Sequence, residues 1–82
     1  SRDERLTDTP ILFEHLLSVN SVGPKVAMNI ISNIESEKLI SDIVSENPDS
    51  LSKIKGLGKK TAEKIVFSLK DKFKNKIKIY QL

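Results

Sequence analysis

The 82-residue sequence predicts an all-α domain of five helices. Two observations carry that reading. Apolar residues recur at three- and four-residue spacing, with no sustained alternation before the last few positions, which is the period of helices rather than strands. The chain also repeats itself: a shift of 35 residues places Leu16 on Leu51, Gly23 on Gly58, Lys25 on Lys60, Ala27 on Ala62 and Ile30 on Ile65. Aliphatic residues match within the same 19-residue window, Val19 with Ile54, Val22 with Leu57, Ile31 with Val66 and Ile34 with Leu69, so two copies of one motif related by a pseudo-twofold are expected.

Each element follows from local signals. The first helix is expected from about Pro10 to Ser18, with Thr9 as N-cap and Pro10 where its missing N–H costs nothing. Ile11, Leu12, Leu16 and Val19 supply its inward stripe. The second starts at Pro24 and runs to about Asn33, burying Ala27, Ile30, Ile31 and Ile34. A connecting helix over Glu37 to Glu46, capped by Ser36, places Leu39, Ile40, Ile43 and Val44 on one face. Asn47-Pro48 opens a short fourth helix that carries Leu51 and Ile54 inward. The last helix runs from Lys59 to roughly Lys74, with Ala62, Ile65, Val66, Leu69 and Phe73 in a 3.6-period stripe. Residues 1–8 read as a linker or the remnant of a preceding domain, 9–74 as the domain itself and 75–82 as a tail or linker. The tail's alternating lysine and isoleucine leave open a frayed helix end, a short strand or disorder.

The chemistry lies between the helices of each copy. In Ile54-Lys55-Gly56-Leu57-Gly58-Lys59-Lys60-Thr61-Ala62 two glycines bracket one aliphatic residue, and two lysines open the helix that comes next. Glycine lets backbone come close to a ligand, and the unpaired N–H groups of a helix start attract an anion. Lysines there oppose the helix dipole, which makes sense where an anion is to be bound. Two such turns at fixed spacing, each with a lysine at the same helical position, define a tandem helix-hairpin-helix, (HhH)2, in which two phosphates can be held. The candidate DNA-binding residues are Asn20, Ser21, Val22, Gly23 and Lys25 in the first hairpin. In the second they are Lys55, Gly56, Leu57, Gly58, Lys59, Lys60, Thr61 and Lys64. Val22 and Leu57 read as plugs into the core rather than wedges into DNA. The second hairpin is expected to bind more tightly, because the first has serine where the turn favours glycine, proline in place of a donor, and Lys25 alone nearby.

Charge points the same way. Residues 1–50 carry four basic and nine acidic side chains, net −5, whereas residues 51–82 carry ten lysines against Glu63 and Asp71, net +8. Such a block fits a polyanionic partner. Lysines outnumber arginines twelve to two, so contacts to phosphates without base reading, and hence sequence-independent binding, are expected. With no cysteine and one histidine, zinc and thiol chemistry are excluded on ligand count, no cofactor or side-chain metal site is expected, and a monovalent cation on the hairpin carbonyls is left open. The sequence shows no apolar run of membrane-spanning length and no signal-peptide pattern, so neither a membrane span nor secretion is expected of it. His15 reads as a partly exposed structural residue. Ser18, Ser21 and Thr61 lack a convergent base, so no catalytic site is expected in this chain. The chain begins at Ser1 without methionine, as a fragment of something longer would.

The sequence Val19-Asn20-Ser21-Val22-Gly23-Pro24-Lys25-Val26-Ala27, then Lys55 to Ile65, then Leu69-Lys70-Asp71-Lys72-Phe73, resembles the second domain of the RuvA family of bacterial Holliday junction proteins. The resemblance covers about Leu12 to Phe73. Its most specific part is the Gly-Lys-Lys-Thr-Ala-Glu run with the later Lys-Asp-Lys-Phe, and Ser21 stands where the family usually has glycine. It implies a cytoplasmic, non-catalytic DNA-binding subunit that forms homotetramers, holds the arms of a four-way junction, and works in recombination and repair with a separate RuvB-like ATPase motor in an ATP-dependent branch-migration helicase complex. Flanking domains of that family are not visible in this sequence. Two other readings stand beside it: the DNA-binding module of a nucleotide-excision endonuclease or ligase, and a protein-interaction module.

Overall fold

A computed structural model describes residues 7–81. Its elements are α1 (Thr9–Leu17), α2 (Pro24–Asn33), α3 (Ser36–Val44), α4 (Asp49–Ser52) and α5 (Lys59–Gln81). The fold is all-helical as the apolar period requires. Residues 1–6 and Leu82, parts of the expected leader and tail, lie outside the described residues.

The bounds of α1 and α3 differ from expectation by a residue or two and the end of α5 by seven, for local reasons. Helix α1 begins at Thr9 with Asp8 in extended backbone as N-cap, so proline occupies the second helical position, where its absent N–H is equally harmless. Helix α3 begins at Ser36 rather than after it, because the Glu35 carbonyl already accepts the first helical bond from Leu39 N–H at 2.8 Å. Pro48 is the N-cap of α4, and Asn47 before it accepts through Oδ1 from Asp49 N–H at 3.1 Å, a local turn that asparagine favours. Helix α5 continues past Lys74 to Gln81, since the segment holds no glycine or proline to stop it.

Helix α3 ends on a glutamate in an unusual backbone conformation. Glu46 has φ 58°, its N–H donates to Ile43 O at 3.1 Å, and Asn47 N–H donates to Asp42 O at 2.8 Å. That pair of bonds is a Schellman cap, and it ends the helix two residues before the expected Glu46. Glycine normally fills this left-handed position. Glutamate stays there with its carboxylate shared by two cations of α5, Lys74 Nζ at 3.2 Å and Lys70 Nζ at 3.4 Å.

The core is continuous. Leu12 and Leu16 of α1, Ala27 and Ile30 of α2, Leu39, Ile40 and Ile43 of α3, and Leu51 of α4 close on Ala62, Ile65, Val66, Leu69 and Phe73 of α5. The α5 stripe is as expected, and of the expected α1 set only Ile11 is left half-exposed. Helix α5 packs most extensively on α3 and also on α4, while α1 pairs with α2. His15 meets Phe73 edge-on at 5.3 Å between ring centroids, joining α1 to α5. Among the described residues one charged side chain is buried as well: Asp42 is paired through Oδ1 with Lys38 Nζ at 2.9 Å.

The Glu46 cap makes stability pH-dependent. Lys74 and then Lys70, by hydrogen bonding and charge, hold the Glu46 carboxyl below its ordinary value. A depressed carboxylate contributes stability that is present above its unfolded pKa and lost as pH falls through the folded one. Glu46→Gln is therefore expected to flatten the loss of stability on acidification below the ordinary carboxylate range. Urea titrations of both proteins across that range measure it, and parallel curves would refute the assignment.

Candidate nucleic-acid interface

The two hairpins share one hydrogen-bond pattern, offset by 35 residues. Val19 N–H donates to Leu16 O and Val22 N–H to Val19 O, each at 3.1 Å. In the second copy Ile54 N–H donates to Leu51 O at 3.1 Å and Leu57 N–H to Ile54 O at 3.0 Å. The third residue of each four-residue turn has positive φ, 79° at Ser21 and 89° at Gly56, as in a type II turn. The fourth, Val22 or Leu57, is buried at 6% exposure. Side chain and amide of both are thus spent inside the protein, which makes them plugs.

Beyond each plug the surface is open. At Gly23 and Gly58 an added Cβ would meet nothing within 4 Å, so a ligand can approach the backbone there. The first helical bonds are Ala27 N–H to Gly23 O at 2.9 Å and Ala62 N–H to Gly58 O at 3.0 Å. In α5 the amides of Lys59, Lys60 and Thr61 therefore have no helical carbonyl ahead of them. In α2 the same turn offers only Lys25 and Val26, because Pro24 has no N–H. The lysines at 25, 55, 59, 60 and 64 are partly or fully exposed, Asn20 is exposed, and Thr61 is half-buried. Backbone dipoles and flexible point charges arranged in this way, in duplicate, are able to hold anions.

Two side chains cross between the copies. Asn29 Nδ2 of α2 donates to the Lys55 carbonyl at 2.9 Å, bracing the turn of the second hairpin. Lys64 Nζ of α5 donates to Ser21 Oγ at 3.3 Å, reaching the first. Residues 29 and 64 are themselves 35 apart, so the braces are pseudo-twofold equivalents. Lys64, which spacing assigns to the second hairpin, is brought to the first. Asn29 was not among the expected site residues. Its signal was its alignment with Lys64, and Asn33 Nδ2 orients it by donating to its Oδ1 at 2.9 Å.

The sequence matches the family described as SAM-like helix-hairpin-helix tandem over residues 13–71. The chain belongs to that family. Among curated proteins, this helix-hairpin-helix tandem is 44% identical over 63 residues to the Holliday junction branch migration complex subunit RuvA of Cronobacter sakazakii, a match covering 77% of the chain and 31% of that protein. It is 48% identical over 64 residues to the same subunit of Thermotoga petrophila, covering 78% of the chain and 34% of the relative. The chain thus spans about a third of the length of the curated relatives it matches.

Backbone strain separates the two helix-hairpin-helix turns. A non-glycine residue in the left-handed region costs about 1–2 kcal/mol, so Ser21→Gly is expected to stabilise the domain by about 1 kcal/mol. Gly56→Ala is expected to destabilise it by a similar amount, the new Cβ having only an ordinary contact with Asn29 Nδ2 at 3.5 Å. Chemical unfolding of the two variants checks this pair of opposite signs. Equal signs would remove strain as the distinction between the turns.

Proposed function

We propose that this domain holds duplex DNA by its phosphates, without reading sequence, and that it serves to grip the arms of a four-way junction within a branch-migration complex. The observation that carries the proposal is the duplicate grip. Two helix starts come directly after identically bonded turns, each has open space in front of its glycine, and each is flanked by lysine. A pseudo-twofold pair of phosphate sites suits two strands of opposite direction better than one strand. Backbone amides and lysines touch phosphate oxygens, which position a protein on DNA but carry no base information.

The similarity to RuvA subunits supplies the biological setting. On this proposal, which the likeness supports, the whole protein is a non-catalytic DNA-binding subunit, tetrameric and cytoplasmic, that works with a separate RuvB-like ATPase. The domain's part would be to seat arm backbones while the motor moves them. Lysine contacts of this kind are ionic and reversible, which suits a surface over which DNA has to slide.

With both hairpins engaged, roughly four to six phosphates are contacted, giving a log–log slope of affinity against salt of about −4 to −5. Fluorescence anisotropy on duplex DNA at several salt concentrations measures it, and a flat response would contradict the grip. Lys60→Glu is expected to weaken binding more than Lys25→Glu, since only the second hairpin has three free amides beside its lysines. The reverse order would refute that asymmetry. For the junction, gel shifts with the whole protein should show tighter binding to a four-way junction than to linear duplex of the same length. Equal affinities would leave duplex binding standing and remove the junction.

A further inference from the structure

Among the described residues Phe67 is the most exposed large apolar side chain, at 63%. It lies on the outer face of α5, and with Lys60, Glu63, Lys64 and Ser68 it lines one shallow depression. Positions 60, 64 and 67 stack along one helix face. Lys60 belongs to the grip of the second hairpin, and Lys64 touches Ser21 of the first. Lys70 Nζ sits over the Phe67 ring, 5.2 Å from its centroid. An aromatic ring is thus held in the open, inside the lysine field of the interface and continuous with both hairpins. The core does not use it.

A basic surface with a solvent-facing aromatic is the combination on which nucleic-acid bases stack, because every base offers a π-face whatever its identity. The ammonium of Lys70 covers one face of the ring, so one face is left to offer. A wedge driven between two base pairs needs both faces, whereas a single unpaired base needs one. Phe67 is seven residues beyond Lys60, about 10 Å along the helix, or about three stacked steps of one strand. A protein partner seated on Phe67 would also cover Lys60 and so compete with DNA for the second hairpin.

We infer that Phe67 is a stacking platform for an unpaired base on the strand whose phosphate is held at the start of α5, an inference that rests on the DNA-binding reading above. The domain then distinguishes a frayed or branched strand from closed duplex through one side chain outside the hairpins. The test uses the whole protein and two probes, a blunt duplex and the same duplex with a short single-stranded overhang. Phe67→Ala should weaken overhang binding about tenfold, the scale of one base–aromatic stack, and change blunt-duplex binding less than about twofold. Phe67→Trp should keep overhang binding, with its indole fluorescence quenched by the overhang probe and not by the blunt one. Equal losses on both probes, or no quenching, would overturn the platform while leaving the hairpin grip intact. So would a protein that displaces DNA from the wild type and no longer binds Phe67→Ala. Failure of the wild type to bind either probe would overturn the DNA reading and this inference together.

Discussion

Val22 and Leu57 each reach into the core from a turn that would otherwise swing in solvent, and that anchoring fixes where the next helix begins. A plug held by packing at the fourth position of the turn forces the third into positive φ and delivers the next residue, Gly23 or Gly58, to the surface. The free amides of the succeeding helix then point outward rather than at a neighbouring helix. The grip is therefore a by-product of core packing, made rigid by the same apolar burial that holds the domain together. Asn29 and Lys64 add polar restraint from outside, each crossing to the hairpin of the other copy.

Local energetics oppose this geometry at several points. Lys59 and Lys60 place positive charge at the positive end of a helix dipole, and Ser21 stands in the left-handed region. Each departs from what stability alone would select, and all cluster on the face assigned to phosphate. Glu46 is the exception: it is strained too, but its carboxylate is taken by Lys70 and Lys74, and its role is to end α3. Strain at the hairpins is compatible with ligand binding, and strain at Glu46 with cross-helix pairing.

Much of the fold was legible because its signals are local or periodic. The span Pro24 to Asn33 and the stripe from Ala62 to Phe73 follow from a proline, a chain of apolar spacings and nothing else. The duplicated hairpin was legible because repetition needs no three-dimensional knowledge. Other features depend on distant parts of the chain and left no such trace. Glu46 in a Schellman cap is unforeseeable without the lysines of α5 that hold it. Lys64 belongs by sequence to one hairpin and by geometry to the other. Asn29 has only its 35-residue register with Lys64 to mark it, and its part in the second hairpin depends on the Lys55 carbonyl being within reach. The exposure of Phe67 lay just off a stripe whose register the sequence did show.

Helix α5 is the last of the five described helices, yet it meets α1 through Phe73, packs on α3 and α4, and touches the first hairpin through Lys64. Segments as short as α1 to α4 hold little helix without tertiary packing, so a growing polypeptide that has reached Gly58 still lacks the surface on which their apolar faces close. Folding on the ribosome therefore cannot finish copy by copy, despite the repeat in the sequence, and neither hairpin is set in its final shape until Phe73 has emerged. The duplication that made the motif modular in sequence has produced a domain that is completed all at once.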